Sequence, residues 1–288
     1  MDQQNIDKLR GEIREHINKL RTYTPKVGVF GNSGVGKSSL CNALFGREIA
    51  AISDVQACTR EPQEILLAGD AGEGGITLVD VPGIGEDPGR HEEYTKLYKS
   101  LAPSLDLVLW AIKADDRNYD SGLRAYEEVF GGDSSSTKLP PVIFVITQAD
   151  KMNPIRDWDA EKKMPGERQL ANIVQKEHDV SSRFVVATRR IVTVSAEEHY
   201  NLKELVSRVV EALPKEKKFS FARETKNENV TEAAWQEAEQ GLWESVKEWA
   251  GNAAGQVWNV VKDDAIKMVV QSAPKILKAV SSWLSRLW

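Results

Sequence analysis

The sequence predicts an α/β fold, a mostly parallel six-stranded sheet with helices on both faces. A helical amino-terminal segment precedes the sheet and a carboxy-terminal α-helical region follows it. Three observations predict this. Short, near-continuous apolar runs alternate with helical segments, the pattern of buried parallel strands joined by crossovers. The first run, Val27–Phe30, leads directly into Gly31-Asn32-Ser33-Gly34-Val35-Gly36-Lys37-Ser38 and then a helix-like stretch. After Pro214 the chain turns charged, then helical and rich in tryptophan.

Ile6, Leu9, Ile13, Ile17 and Leu20 recur at spacings of three and four, which predicts an amphipathic helix ended by Thr24-Pro25. Strand-like runs follow at Lys26–Phe30, Gln63–Ala68, Ile76–Val79, Leu105–Ile112, Val142–Thr147 and Ile191–Val194. The glycine-rich stretch Gly69–Gly75 predicts a loop closing an antiparallel hairpin. Helices are expected at Ser39–Phe45, Glu92–Leu101, Ser121–Phe130, Glu167–Glu177 and Leu202–Leu213, with a surface loop at Gly131–Lys138. These place boundaries at residues 1–24 for the first helix, 25–214 for the α/β unit and 215–288 for the helical region. Lys215–Asn229 reads as a linker or exposed helix.

The chain has 288 residues, 41% hydrophobic and 28% charged, as in a soluble globular protein of one large and one smaller unit. Its net charge of −5 argues against a nucleic-acid-coating role. Two cysteines, Cys41 and Cys58, make no disulfide framework and are expected to be small buried hydrophobes in a reducing compartment. Met1–Arg21 is charged throughout, so no signal peptide is expected, and no apolar run reaches the roughly 18 residues of a spanning helix. The expected location is cytoplasmic, with peripheral contact at the inner membrane surface as an extension of it.

Strand, glycine loop and helix in the order G-x-x-x-x-G-K-[ST] form a phosphate-binding loop. Its backbone N–H groups and the positive end of the following helix suit a phosphate chain. Asn32, Ser33, Gly34, Val35, Gly36, Lys37, Ser38 and Ser39 are therefore candidate nucleotide-binding residues. Lys37 can reach the β- and γ-phosphates, and Ser38 can ligate Mg²⁺. Asp80, in Asp80-Val81-Pro82-Gly83 at a strand end, is a second metal candidate, and the Gly83 N–H can meet a γ-phosphate. Thr59, in Ala57-Cys58-Thr59-Arg60, can complete the Mg²⁺ shell while the γ-phosphate is present, which makes its loop a candidate switch. Thr147-Gln148-Ala149-Asp150 ends another strand, and the Asp150 carboxylate can accept from guanine N1–H and N2–H₂. Ser195-Ala196 ends the last strand, where the Ala196 N–H can approach guanine O6. Together these point to GTP or GDP with Mg²⁺.

In these motifs the chain resembles the translation-factor-type P-loop GTPases, and within them the Era-like (TrmE-Era-EngA) class. The runs FGNSGVGKSSLCNALF, DVQACTRE, DVPGIGED, LDLVLWAIKADDR and TQADKM are similar to the prophage-type GTPases of enterobacteria. The resemblance covers about residues 26–213 and implies a Ras-like domain, Mg²⁺-dependent GTP binding and slow hydrolysis. Three departures matter. Gln148 stands where the base motif usually has a lysine that covers the base and ties the phosphate loop. Ile84 stands where Ras-type enzymes have a water-orienting glutamine. Gly34 stands where potassium-activated relatives carry asparagine, so potassium activation is not expected. Arg60, Glu86, Asp87, Arg90 and His91 lie in the candidate switch loops, and Arg60, Arg90 and His91 are weak catalytic candidates against a reading as solvated loop residues. The catalytic group is unassigned. His16, His178 and His199 read as surface residues.

Beyond Thr231, Trp235, Ala238, Leu242, Val246, Trp249, Ala253, Val257 and Val260 trace one apolar stripe, and residues Ile266 to Leu287 trace a second, interrupted by Pro274. A stripe of this kind most often faces a protein core, here itself, the first helix or the α/β unit. The alternatives are a membrane surface, favoured by Lys262, Lys267, Lys275, Lys278 and Arg286 beside Trp283 and Trp288, or self-assembly as a homo-oligomer through the α/β unit or these helices. A ribosome partner has no support in the pattern, since the aromatics lie in an apolar stripe and not on a stacking platform.

Overall fold

Each predicted apolar run pairs as a strand, and the pairing sets the architecture. The computed structural model describes residues 3–46, 63–68, 74–80, 91–131 and 139–254, with residues 265 and 267. In chain order the elements are α1 (Gln3–Arg21), β1 (Lys26–Gly31), α2 (Lys37–Phe45), β2 (Gln63–Ala68), β3 (Gly75–Asp80), α3 (His91–Leu101), β4 (Leu107–Lys113) and α4 (Asp120–Phe130). Then follow β5 (Val142–Thr147), α5 (Glu167–Arg183), β6 (Ile191–Thr193), α6 (Leu202–Ala212), α7 (Lys215–Glu224) and α8 (Glu232–Ala254).

The sheet has six strands in the order β2-β3-β1-β4-β5-β6. β2 runs antiparallel to β3 with Gln63 opposite Asp80, which is the expected hairpin, and every other neighbour is parallel. Parallel strands bury both faces, so alternate residues feed two cores. Val27, Val29, Leu107, Leu109, Ile143 and Val145 pack under α2 and α6. Phe30, Val108, Trp110, Phe144 and Ile146 pack under α3, α4 and α5. Trp110, 1% exposed, is the hub of the second core, with edge contacts to Phe30, Tyr98, Tyr126 and Phe130.

Element ends differ modestly from expectation. β4 begins at Leu107 because a 3₁₀ turn, Ala102–Ser104, precedes it and Leu105 N closes that turn on Ala102 O. α5 continues past Glu177 to Arg183 because Val180 stays on its buried side and Arg183 pairs with Asp179. Cys41 is buried in the first core, as expected, and Cys58 lies outside the described residues. Most of the expected loop after Gly131 also lies outside them.

The reading of Lys215–Asn229 as linker or exposed helix needs correction. α7 is a wedge: Phe221 and Ala222 enter the core beneath the sheet, while Phe219 enters a third core with Leu9, Ile13 and Ile17 of α1 and Leu242, Trp243, Val246 and Ala250 of α8. The dense charge of KEKKFSFARE conceals this, because two phenylalanines two positions apart face opposite sides of a helix. Lys218 is 9% exposed, its stem buried and its ammonium paired with Glu237. α8 continues both cores, giving Ala234 and Ala238 to the first and Leu242 and Val246 to the third. Thr231 caps its start, the hydroxyl accepting from Ala234 N at 3.1 Å. Ala265 is buried in the third core as well. His16, expected on the surface, is half-buried and stacks on Trp249 at 4.6 Å; burial lowers its pKa. His178 and His199 are exposed.

Asp106 pins the helical layer to the end of the sheet remote from the glycine loop. It is 4% exposed and accepts from Tyr23 Oη at 2.8 Å, Lys26 N at 2.8 Å and Lys217 Nζ. Asp106→Ala leaves three donors without their acceptor, and urea unfolding is expected to show a loss of about 3 kcal/mol; a loss within error of zero would contradict the role. Glu239, on α8, is 8% exposed, and burial pushes its carboxyl up to about 7. A raised carboxyl stabilises the fold while protonated, so its contribution is whole below about 4.5 and is lost as pH rises through about 7. Glu239→Gln is therefore expected to gain stability over the native chain between about pH 5 and pH 8. An equal stability difference at both pH values would contradict this.

Candidate nucleotide site

Glycine is required where β1 ends. Gly31 has φ +136°, and a Cβ there would stand 2.3 Å from the Ala111 carbonyl oxygen on β4. Gly36, at φ +85°, turns the chain left-handed into α2, and Leu40 N bonds to its carbonyl at 2.9 Å. Between them Ser33 and Gly34 are exposed at the tip and Val35 is 3% exposed beneath. Side chains hold the loop by its carbonyls. Lys37 Nζ donates to Asn32 O at 2.9 Å and to Gly31 O at 3.2 Å. Thr147 Oγ1 donates to Val35 O at 2.6 Å, and Gln148 Nε2 stands 3.4 Å from Gly34 O. A loop so held presents N–H groups beside the N-terminus of α2, an arrangement suited to an anion. Ser38 and Ser39 lie in the first turn of that helix, Ser39 exposed.

The other half of the candidate site is built on the ends of β5 and β6. Thr147 is 3% exposed with its hydroxyl turned to the loop, so it ties β5 to the loop from inside. Gln148 sits at φ 59°, ψ 44°, a left-handed turn that swings the chain into the short 3₁₀ helix Ala149–Lys151. Ala149 N bonds to Val194 O at 3.0 Å, which draws the Asp150 turn to the end of β6. Ser195 Oγ donates to Asp150 Oδ1 at 2.6 Å and accepts from Glu198 N at 3.2 Å. Ser195 is 0% exposed, so its chemistry is to orient the Asp150 carboxylate, while Ala196 beside it is half-buried. The lost lysine of the base motif is replaced in part. The Gln148 amide reaches the same loop, through a neutral bond too long to be strong.

The parallel register Val29↔Asp80 sets Asp80, by its backbone, two residues before the start of the glycine loop on the adjacent strand. A serine hydroxyl and a carboxylate are hard oxygen donors, the set Mg²⁺ takes. Thr59, Arg60, Gly83, Ile84, Glu86, Asp87 and Arg90 lie outside the described residues, and so do the side chains of Asp80 and His91. Among the described residues no three His, Cys, Asp or Glu side chains gather as a metal site.

Two groups of residues escape a motif reading. Gln169, on α5, is 0% exposed and sends its amide to Met152 O at 2.7 Å, behind the Asp150 turn. No periodicity signals it, since a polar residue in a charged helix start reads as solvated. The second group lies at the far end of α2. Asn229 Nδ2 donates to Ala43 O at 2.9 Å, and Lys226 N donates to Leu44 O at 2.8 Å. These bonds span sequence separations that no local pattern reveals.

A protein-family model described as "50S ribosome-binding GTPase" matches residues 26–148. The uncharacterized protein YkfA of Escherichia coli K12 is 40% identical over 204 residues, covering 71% of this chain and 67% of YkfA. YfjP of the same organism is 38% identical over 204 residues, with the same 71% and 67% coverage. GTPase Era of Trichlorobacter lovleyi is 25% identical over 195 residues, covering 65% of this chain and 55% of Era. With the loop, the base turn and the strand order already in place, these likenesses make the chain a member of the Era-like P-loop GTPases, a GTP-binding family, in the branch that holds YkfA and YfjP.

Proposed function

We propose that the protein binds Mg²⁺·GTP, hydrolyses it slowly, and uses the nucleotide state to control the helical layer of α1, α7 and α8. The observation that carries this reading is the seam at the carboxyl end of α2. That helix begins at Lys37 and Ser38, where phosphates and metal would be held, and runs about 13 Å. Its last carbonyls, Ala43 O and Leu44 O, are bonded by Asn229 and Lys226 from the turn between α7 and α8. Phe45 meets Phe221 of α7 edge-on at 6.0 Å. Gly46 lies against the Lys226 stem, which a Cβ at Gly46 would approach to 2.8 Å. The candidate switch around Thr59 follows immediately in sequence.

In this reading Ser38, Asp80 and Thr59 would hold Mg²⁺, which when bound would supply positive charge beside the phosphates. Lys37 exchanges loop carbonyls for phosphate oxygens, and the N–H groups of residues 32–39, with Gly83, line the phosphates. Asp150, aimed by Ser195, reads the guanine edge, with Gln148 over the base and Ala196 N–H near its O6. Hydrolysis is slow because the Ile84 side chain carries no polar group to orient water. A membrane role draws less support from the first stripe, because Ala238, Leu242 and Val246 are buried against protein. No described helix is long and apolar enough to cross a membrane.

The test is equilibrium binding of guanine and xanthine nucleotides. Asn in place of Asp150 offers an N–H to the C2 carbonyl of xanthine, so Asp150→Asn is expected to invert the GTP-over-XTP preference, and an unaltered ratio would refute the base assignment. Lys37→Ala is expected to weaken GTP binding about tenfold or more. Unchanged affinity would remove Lys37 from the site.

A further inference from the structure

Gln169 has a chemistry that packing does not account for. It lies in the first turn of α5, 0% exposed. Its Nε2 donates to Met152 O at 2.7 Å and stands 3.3 Å from Asp150 O and 3.4 Å from Ala149 O. Its Oε1 is buried with no hydrogen-bond partner among the described residues. An apolar residue of the same size would remove this orphan acceptor but would release the Met152 carbonyl and the contacts to Asp150 O and Ala149 O. The amide does something an apolar residue would not, which is to fix the carbonyls of one turn. One helical turn further on, Asn172 Nδ2 donates to Asn153 O at 2.8 Å, extending the same grip. The gripped turn carries Asp150. Its carboxylate is held from the other side by Ser195 Oγ at 2.6 Å.

We propose that Gln169 is a positioning residue for guanine recognition. It fixes the turn at residues 149–152 from behind, so that the Asp150 carboxylate meets both N–H donors of the guanine edge in line. The proposal rests on the GTP reading above and adds to it a determinant of specificity outside the nucleotide motifs. The backbone of the turn is set by α5 and its side chain by the end of β6, and neither hold alone fixes the direction of the carboxylate.

The experiment compares GDP with IDP, which lacks the exocyclic amino group, and with pyrophosphate, which lacks the base. In Gln169→Leu the GDP-to-IDP affinity ratio is expected to fall about tenfold, with pyrophosphate affinity unchanged. Gln169→Glu, which keeps the shape and replaces the donor by an acceptor, is expected to do the same. General loosening of the fold would weaken all three ligands together and leave the ratio intact, and an unchanged ratio in either folded variant overturns the proposal. A native chain that does not prefer GDP to IDP would instead refute the guanine reading itself. Should neither variant fold, the ¹⁵N side-chain amide of Gln169 in the native chain decides. A shift on GDP that pyrophosphate does not reproduce supports the proposal, and the same response to both overturns it.

Discussion

The site depends on how the glycine loop is held by its carbonyls. Donors from three side chains meet it: Lys37 at Gly31 and Asn32, Gln148 at Gly34, and Thr147 at Val35. The shortest is the Thr147 bond, at 2.6 Å and buried, where geometry and low dielectric both strengthen it. This one contact joins the glycine loop to the Asp150 turn, because Thr147 is also the last residue of β5 and leads into Gln148 and Asp150. Parallel strands make it possible, since β1 and β5 flank β4 and end at the same edge of the sheet. A loop without side chains at its critical turns is soft, and these bonds supply the rigidity its glycines lack.

The same economy of backbone bonding links the loop to the rest of the molecule. α2 is short, so its first turn lies only about 13 Å from its last. There the orphan carbonyls common to helix ends meet a side-chain amide and a backbone N–H from the turn between α7 and α8. α7 packs both ways, with Phe221 under the sheet and Phe219 among α1 and α8. The first and third cores thus adjoin along α7 and α8.

Much of this was legible in the sequence, for identifiable reasons. The strands could be read because both faces of a parallel sheet demand continuous apolar runs, and the glycine loop because its glycines, lysine and serine stand together between a strand and a helix. What was hidden has physical causes too. On α5 the apolar residues Leu170 and Val174 are each 46% exposed while Gln169 is buried, the reverse of what polarity suggests. On α7 charged residues with long stems cover a helix with two buried sides. Ser195 was readable as a site residue, but its task of orienting Asp150 appears only once β6 and the Asp150 turn are brought together. The bonds of Asn229 and Lys226 to α2 join residues far apart in the chain and follow no period.

The proposed function requires that nucleotide state pass through α2 into the helical layer. Hydrogen–deuterium exchange of the full chain, bound to GDP and then to a non-hydrolysable GTP analogue with Mg²⁺, tests it most directly. A difference in protection is expected at residues 226–229 and in the first turns of α8. Identical exchange there in the two states, with both nucleotides shown to be bound, would contradict it.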